Sequence, residues 1–153
     1  MVDSFTFENI TRRYFSGEEL KRIAGTRIGI AGAGGLGSNC AMNLVRCGFV
    51  RFIIVDFDVV EESNLNRQFY FANQIGKPKV DALKENLMRI NPDLSIKTYQ
   101  LKLDKHNMGT IFQPCHAVVE AFDKPECKAE MTEAFMATDK LLVCASGLAG
   151  FGK

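Results

Sequence analysis

Arg27-Ile28-Gly29-Ile30-Ala31-Gly32-Ala33-Gly34-Gly35-Leu36-Gly37 is the stretch that decides the fold. Its apolar front half suits a buried strand, its glycines suit a tight turn, and the residues beyond take up helical periodicity. Gly32, Gly34 and Gly37 satisfy G-x-G-x-x-G. Asp56 closes the next apolar run, Arg51-Phe52-Ile53-Ile54-Val55, at the distance where an acid meets ribose hydroxyls. A helix that starts on such a turn presents backbone amides and the positive end of its dipole, and glycine lets a phosphate come close. Taken alone, this pattern describes a nicotinamide- or flavin-dependent oxidoreductase.

Working outward, strand and helix alternate along the rest of the chain. The first strand covers 27–31, and a helix over 35–47 presents Leu36, Cys40, Leu44 and Cys47 on one face before Gly48 stops it. The second strand, 51–56, is almost continuously apolar, as a strand covered on both faces should be. A polar, irregular segment runs from 57 to 76. Pro78 opens a helix that lasts to about Ile90, with Val80, Leu83, Leu87 and Ile90 toward the sheet. Further strands are predicted near 94–99, 117–121 and 140–145, with a helical turn near 105–112. A helix near 125–137 presents Cys127, Met131 and Phe135. The fold class is α/β: a Rossmann-like, doubly wound, mostly parallel sheet with helices on both faces, in the order 3-2-1-4-5. Residues 1–26 form an N-terminal helical segment broken near Ser16-Gly17, and 27–153 form the nucleotide-binding domain. Ser146 to Lys153 reads as a loop leading onward, so the domain is expected to continue past residue 153; otherwise the fifth strand is a bare apolar edge.

The bulk properties narrow the function. The chain of 153 residues supports one core. With 19 Lys+Arg against 18 Asp+Glu there is no electrostatic case for nucleic acid or a membrane surface. The polar start Met1-Val2-Asp3-Ser4 has neither a signal peptide's pattern nor an apolar span behind it. The 5 cysteines (40, 47, 115, 127 and 144) include no C-x-x-C pair, so they read as reduced core thiols of a cytoplasmic protein with no zinc site. His106 and His116 lack a ligand cluster and are expected in local hydrogen bonds. Phe69-Tyr70-Phe71 should bury its loop against the domain or a partner.

The run Asp56-Phe57-Asp58-Val59-Val60-Glu61-Glu62-Ser63-Asn64-Leu65-Asn66-Arg67-Gln68 departs from a dinucleotide site. It adds a second carboxylate, Asp58, and a cation, Arg67; Lys79 follows at the start of the next helix. A triphosphate with magnesium explains that mixture better, because cations stabilise charge on the phosphates and on departing pyrophosphate. Asp123, just beyond the fourth strand, would face Gly32 across the crevice where strands 1 and 4 diverge.

In this register, Gly32 to Gly37, Asp56-Phe57-Asp58, Ser63 to Gln68, Lys79 and Asp123 resemble the ThiF/MoeB-like (E1-like) adenylyltransferases, which activate ubiquitin-like proteins. The similarity is greatest to the branch that adenylates the sulfur carrier ThiS in thiamine biosynthesis, with the molybdopterin branch next. It spans roughly residues 12–150. The resemblance implies an ATP site over the glycine loop, formed by Gly32, Gly34, Gly35 and Gly37. It further implies a homodimer, attack of a carrier's C-terminal Gly-Gly carboxylate on the α-phosphate, and a possible sulfur-transfer partner. Asp56 would hold the ribose. Asn64, Arg67 and Lys79 would contact phosphates, with Asp58 close to phosphates or metal, and Gln68 would support the loop. Asp123 would engage Mg2+, and Arg12 or Arg13 would reach the partner subunit's γ-phosphate. The two C-x-x-C pairs that hold structural zinc in many relatives do not occur in the sequence. The competing readings are an NAD-dependent oxidoreductase, an ATP-dependent dehydratase acting on modified tRNA, and a non-catalytic nucleotide-binding scaffold.

Overall fold

The computed structural model describes residues 7–144. Its centre is a 5-stranded, wholly parallel sheet in the order β3-β2-β1-β4-β5. The strands are β1 (Arg27–Ala31), β2 (Arg51–Val55), β3 (Ser95–Tyr99), β4 (Ala117–Glu120) and β5 (Leu141–Cys144). Each lies within a residue or so of its predicted limits. Central β1 pairs Ile30 with Ile54 on one side and Val119 on the other.

Alternation along the strands sends side chains into separate cores on the two faces. Ile28, Ile30, Phe52 and Ile54 pack with Ala41 and Val45 of α3 (Gly35–Arg46) and with Leu83 and Leu87 of α4 (Lys79–Ile90). On the opposite face, Ala31, Ile53, Val55 and Val118 pack with Met108 and Phe112 and with Met131 and Phe135. Met108 opens α5 (Met108–Ile111), while Met131 and Phe135 belong to α6 (Pro125–Met136). Helices thus cover both faces, as a parallel sheet requires. Ahead of the sheet lie α1 (Phe7–Thr11) and α2 (Gly17–Gly25). The break between them is a capping box. Glu19 N–H donates to Ser16 Oγ at 3.3 Å, and Ser16 N–H donates to the Glu19 carboxylate at 2.8 Å. Those bonds from Ser16 hold the Glu19 carboxyl below its ordinary value.

Some expectations need correction. The face of α3 against the sheet is not Leu36, Cys40, Leu44 and Cys47 but Gly37, Ser38, Ala41 and Val45. The helix lies close over β1, and only small side chains fit beneath it; Cys40 and Leu44 pack at the flank, and Cys47 is exposed. Cys144 is also exposed, since β5 is the sheet edge, with Leu141 63% and Val143 45% accessible. Cys115 is the one thiol buried in the core, where desolvation pushes it up to about 11. Pro78 caps α4 rather than entering its first turn. The loop expected over Ser146 to Lys153, like Ala145 and the first six residues, lies outside the described residues. No helix among the described residues is long and apolar enough to cross a membrane.

Candidate active site

The chain leaves β1 through Gly32, whose φ of +98° and whose closeness to the Ala121 carbonyl, 2.9 Å from where a Cβ would stand, both require glycine. A Cβ on Gly37 would run into the Gly32 carbonyl, so the same residue lets α3 start tight against the turn. The N-cap of α3 is Gly34, which offers no side-chain acceptor, and the first turn carries no acidic residue. The amides at this 12-residue helix's positive end therefore meet no protein anion.

Side chains fasten that loop from behind. Asp56, just past β2, accepts from Ala33 N–H at 2.6 Å with one oxygen and from Asp58 N–H at 2.8 Å with the other. The buried Tyr70 hydroxyl donates to the Ala33 carbonyl at 2.6 Å. Burial, reinforced by the Asp56 and Asp58 charges, drives this phenol well above its ordinary range, so it stays a donor. Tyr70 thus buries the loop as the aromatic run suggested. It also pins the glycine turn, which the sequence did not reveal.

Gly32 and Gly34 open on a crevice of about 380 Å³ at the carboxyl ends of the strands. That volume lies within the range of small-molecule sites. Asp56, Asp58, Gln68 and Lys79 line one side, and Phe122, Asp123, Lys124 and Cys127 the other. Leu101 and Leu103, after β3, add apolar lining, with Lys102 between them. Gly32 and Asp123 therefore share one crevice, as the strand order requires. Lys79 is 6% exposed. Its Nζ sits 3.0 Å from Asp58 Oδ2, and its backbone N–H donates to the Asp58 carbonyl at 2.9 Å. The cation is thereby aimed from the first turn of α4 toward the crevice beside the glycine loop. Among the described residues, Gln68 Oε1 is the one buried side-chain oxygen or nitrogen without a partner.

Other predicted residues stand outside the crevice wall. Arg67 donates from Nη1 to the Ser63 carbonyl at 2.8 Å and to Asn66 Oδ1 at 2.9 Å, and its stem lies against Gly35. Asn64 is buried and closes its own turn, accepting from Glu61 N–H at 3.0 Å. Gly35 and Gly37 shape α3 without lining the space. Arg13 is exposed at the end of α1, and Arg12 lines a separate hollow with Phe7, Phe15 and Lys21. Asp123 does not cap α6; the N-cap is Lys124, with no side-chain capping bond. His116 accepts from Arg27 N–H at 2.9 Å through Nδ1, a bond to the start of β1, far away in sequence, and not the local one expected.

The donor set suits ATP better than a bound metal alone. Open helix amides, a buried lysine and a carboxylate tied to the loop fit a phosphorylated nucleoside. No cluster of three or more metal-ligating side chains occurs among the described residues. Asp123 and Asp58 are carboxylates on the crevice, and Mg2+ is ordinarily held by one or two carboxylates plus substrate phosphates, so the set fits Mg2+ arriving with ATP. The sequence reading missed Lys102, Lys124, Phe57 and the Leu101 and Leu103 pair. It also missed the ion pair between buried Glu120 and partly exposed Lys128, neither of which lines the crevice.

Comparison with known proteins agrees with this geometry. The pattern of the ThiF family matches residues 8–153. Adenylyltransferase and sulfurtransferase UBA4 of Eremothecium gossypii is 37% identical over 133 residues, covering 86% of this chain and 30% of the relative. Ubiquitin-like modifier-activating enzyme 5 of Caenorhabditis elegans is 40% identical over 85 residues, which is 56% of this chain and 20% of that enzyme. Among solved structures, tRNA N6-threonylcarbamoyladenosine dehydratase of E. coli in complex with ATP superposes with a TM-score of 0.87 at 26% identity. That match takes in 91% of this chain and 58% of the dehydratase. The chain therefore spans under a third of the UBA4 relative and somewhat over half of the dehydratase.

Proposed function

The chain belongs to the ThiF family, and on that premise we propose that it binds ATP and adenylates the C-terminal carboxylate of a ubiquitin-like carrier protein. The observation that carries this reading is Lys79, a nearly buried cation on the crevice wall beside an uncapped helix end, with Asp56 bonded to the same loop. A dinucleotide site has no need of that cation. The carrier carboxylate would attack the α-phosphorus; an acyl–phosphate bond forms, the bond to the bridging oxygen breaks, and its electron pair leaves with pyrophosphate. Lys79 meets the growing negative charge, and fixed charge at such a place lowers the barrier without reorganisation.

The other residues take roles in the same scheme. Gly32, Gly34, Gly35 and Gly37 shape the phosphate seat, Asp56 holds the ribose and Gln68 supports the loop. Arg67 and Asn64 serve the phosphates after leaving the loop bonds they make now; for exposed Arg67 that exchange is inexpensive. Asp123, with Asp58 on the facing wall close to the phosphates, would hold Mg2+, which neutralises phosphate charge when bound. Arg13, or Arg12, would complete a partner subunit's site in a cytoplasmic homodimer, with residues 27–153 as the ATP-binding domain and 1–26 as the arm.

The carrier to try first is a sulfur carrier of the ThiS type, as in thiamine biosynthesis, a choice supported by the adenylyltransferase and sulfurtransferase relatives. The similarity to ubiquitin-like modifier-activating enzyme 5 supports a modifier as carrier. The likeness to the tRNA dehydratase favours a second reading in which the acceptor carboxylate is carried on modified tRNA. Exchange of labelled pyrophosphate into ATP tests the scheme. It should require both the protein and a carrier ending in Gly-Gly. Exchange that ignores every carrier but responds to modified tRNA selects the second reading, and absence of exchange with either refutes both.

A further inference from the structure

Glu120 is the last residue of β4 and is wholly buried, level with Ala31 of β1 and Cys144 of β5. Its Oε1 accepts from Phe122 N–H at 2.7 Å and from Lys128 Nζ at 2.9 Å, while Oε2 accepts from the same Nζ at 3.1 Å. Lys128, in the first half of α6, is 27% exposed. One carboxylate therefore ties both ends of a short turn, the Phe122 amide where it leaves the sheet and the Lys128 side chain where α6 resumes. Everything between these grips, from Phe122 to Cys127, includes the residues forming the second wall of the crevice.

Stability alone does not account for this pair. Burying a carboxylate such as Glu120 costs desolvation that the attraction to its partly exposed partner largely offsets, so an apolar residue of the same size would often do as well. Geometry does account for it. The Ala121 carbonyl already lies 2.9 Å from the position a Cβ on Gly32 would take, so a small drift of the turn changes the width of the crevice. We propose that Glu120 and Lys128 are positioning residues: they hold the β4–α6 turn, with Asp123 and Lys124, at the distance from the glycine loop that a bound nucleotide needs. The inference rests on the ATP-binding reading and extends it to residues that touch no ligand.

The test uses the full chain as wild type and as Glu120→Gln, Lys128→Met and Lys128→Arg. It measures ATP affinity by calorimetry and amide hydrogen exchange over 121–127 and 32–37. Glu120→Gln and Lys128→Met should speed exchange in 121–127 by about tenfold while 32–37 hold their wild-type protection, since only one wall is released. ATP affinity should fall by roughly tenfold in both, and Lys128→Arg should restore it because a guanidinium keeps the two-oxygen grip. Should the single variants fail to fold, Glu120→Gln combined with Lys128→Met removes both charges of the pair and carries the same expectations. Wild-type ATP affinity in a folded variant, or a Lys128→Arg no better than Lys128→Met, overturns the inference and leaves the ATP reading intact. A wild-type chain that binds no ATP overturns both.

Discussion

The two walls of the crevice are built from different materials. The β1–α3 wall is backbone, with Gly32 in a conformation few other residues adopt, Gly37 where no side chain fits, and a helix end without a cap. The β4–α6 wall is held by a side-chain clamp, and it contributes charged groups in place of amides. The first can bind a phosphate through groups fixed by the fold itself. The second depends on side chains, Glu120 of β4 and Lys128 of α6, and so is open to substitution.

Substitutions should expose that asymmetry. Gly37→Ala is the most damaging, because backbone on both sides must move; it should cost roughly 3 kcal/mol or more in chemical denaturation, at the upper end of single-residue effects. A melt within a degree or two of wild type would mean that the β1–α3 wall is softer than its geometry indicates. Lys79→Ala should leave folding nearly intact and cut carrier adenylation by about 100- to 1000-fold, the usual loss when one charge-stabilising contact is removed. Turnover within about threefold of wild type, with ATP affinity unchanged, removes Lys79 from the chemistry.

Asp123→Asn probes the clamped wall. Since Asp123 caps nothing, the variant should melt like wild type, yet its neutral oxygen is a poor ligand for a hard cation. It should lose most adenylation, with partial recovery as magnesium is raised. Full activity at low magnesium would return Asp123 to the surface. The smallest effect belongs to Gly35→Ala. A Cβ there meets only the Arg67 stem and carbonyl at ordinary distances of 3.8 and 3.9 Å, so the exchange should stabilise α3 by about 0.5 kcal/mol. Destabilisation instead would show that Gly35, like Gly37, is fixed by the turn.

The same contrast explains what the sequence made legible. Glycine spacing after an apolar strand, and an acid after the next one, report backbone geometry directly, so the sheet order, the strand limits and the Gly32–Asp123 crevice could be read before any coordinates. The α3 face was misread because large apolar spacing was taken as the buried side, whereas close approach to β1 selects Gly37, Ser38 and Ala41. Glu120 and Lys128 gave no signal, since a glutamate in a buried strand finds its partner only when the turn folds back. Asn64 was placed at the phosphates by resemblance and Arg67 by its charge as well, but their side chains satisfy their own loop.

The central claim is that this crevice is a triphosphate site and not a dinucleotide site. Calorimetric titration of the full chain with ATP and with NAD, each with and without magnesium, tests it most directly. ATP should bind, magnesium should tighten it, and NAD should bind far more weakly whatever the magnesium concentration. Tight NAD binding indifferent to magnesium, with little or no affinity for ATP, would contradict it.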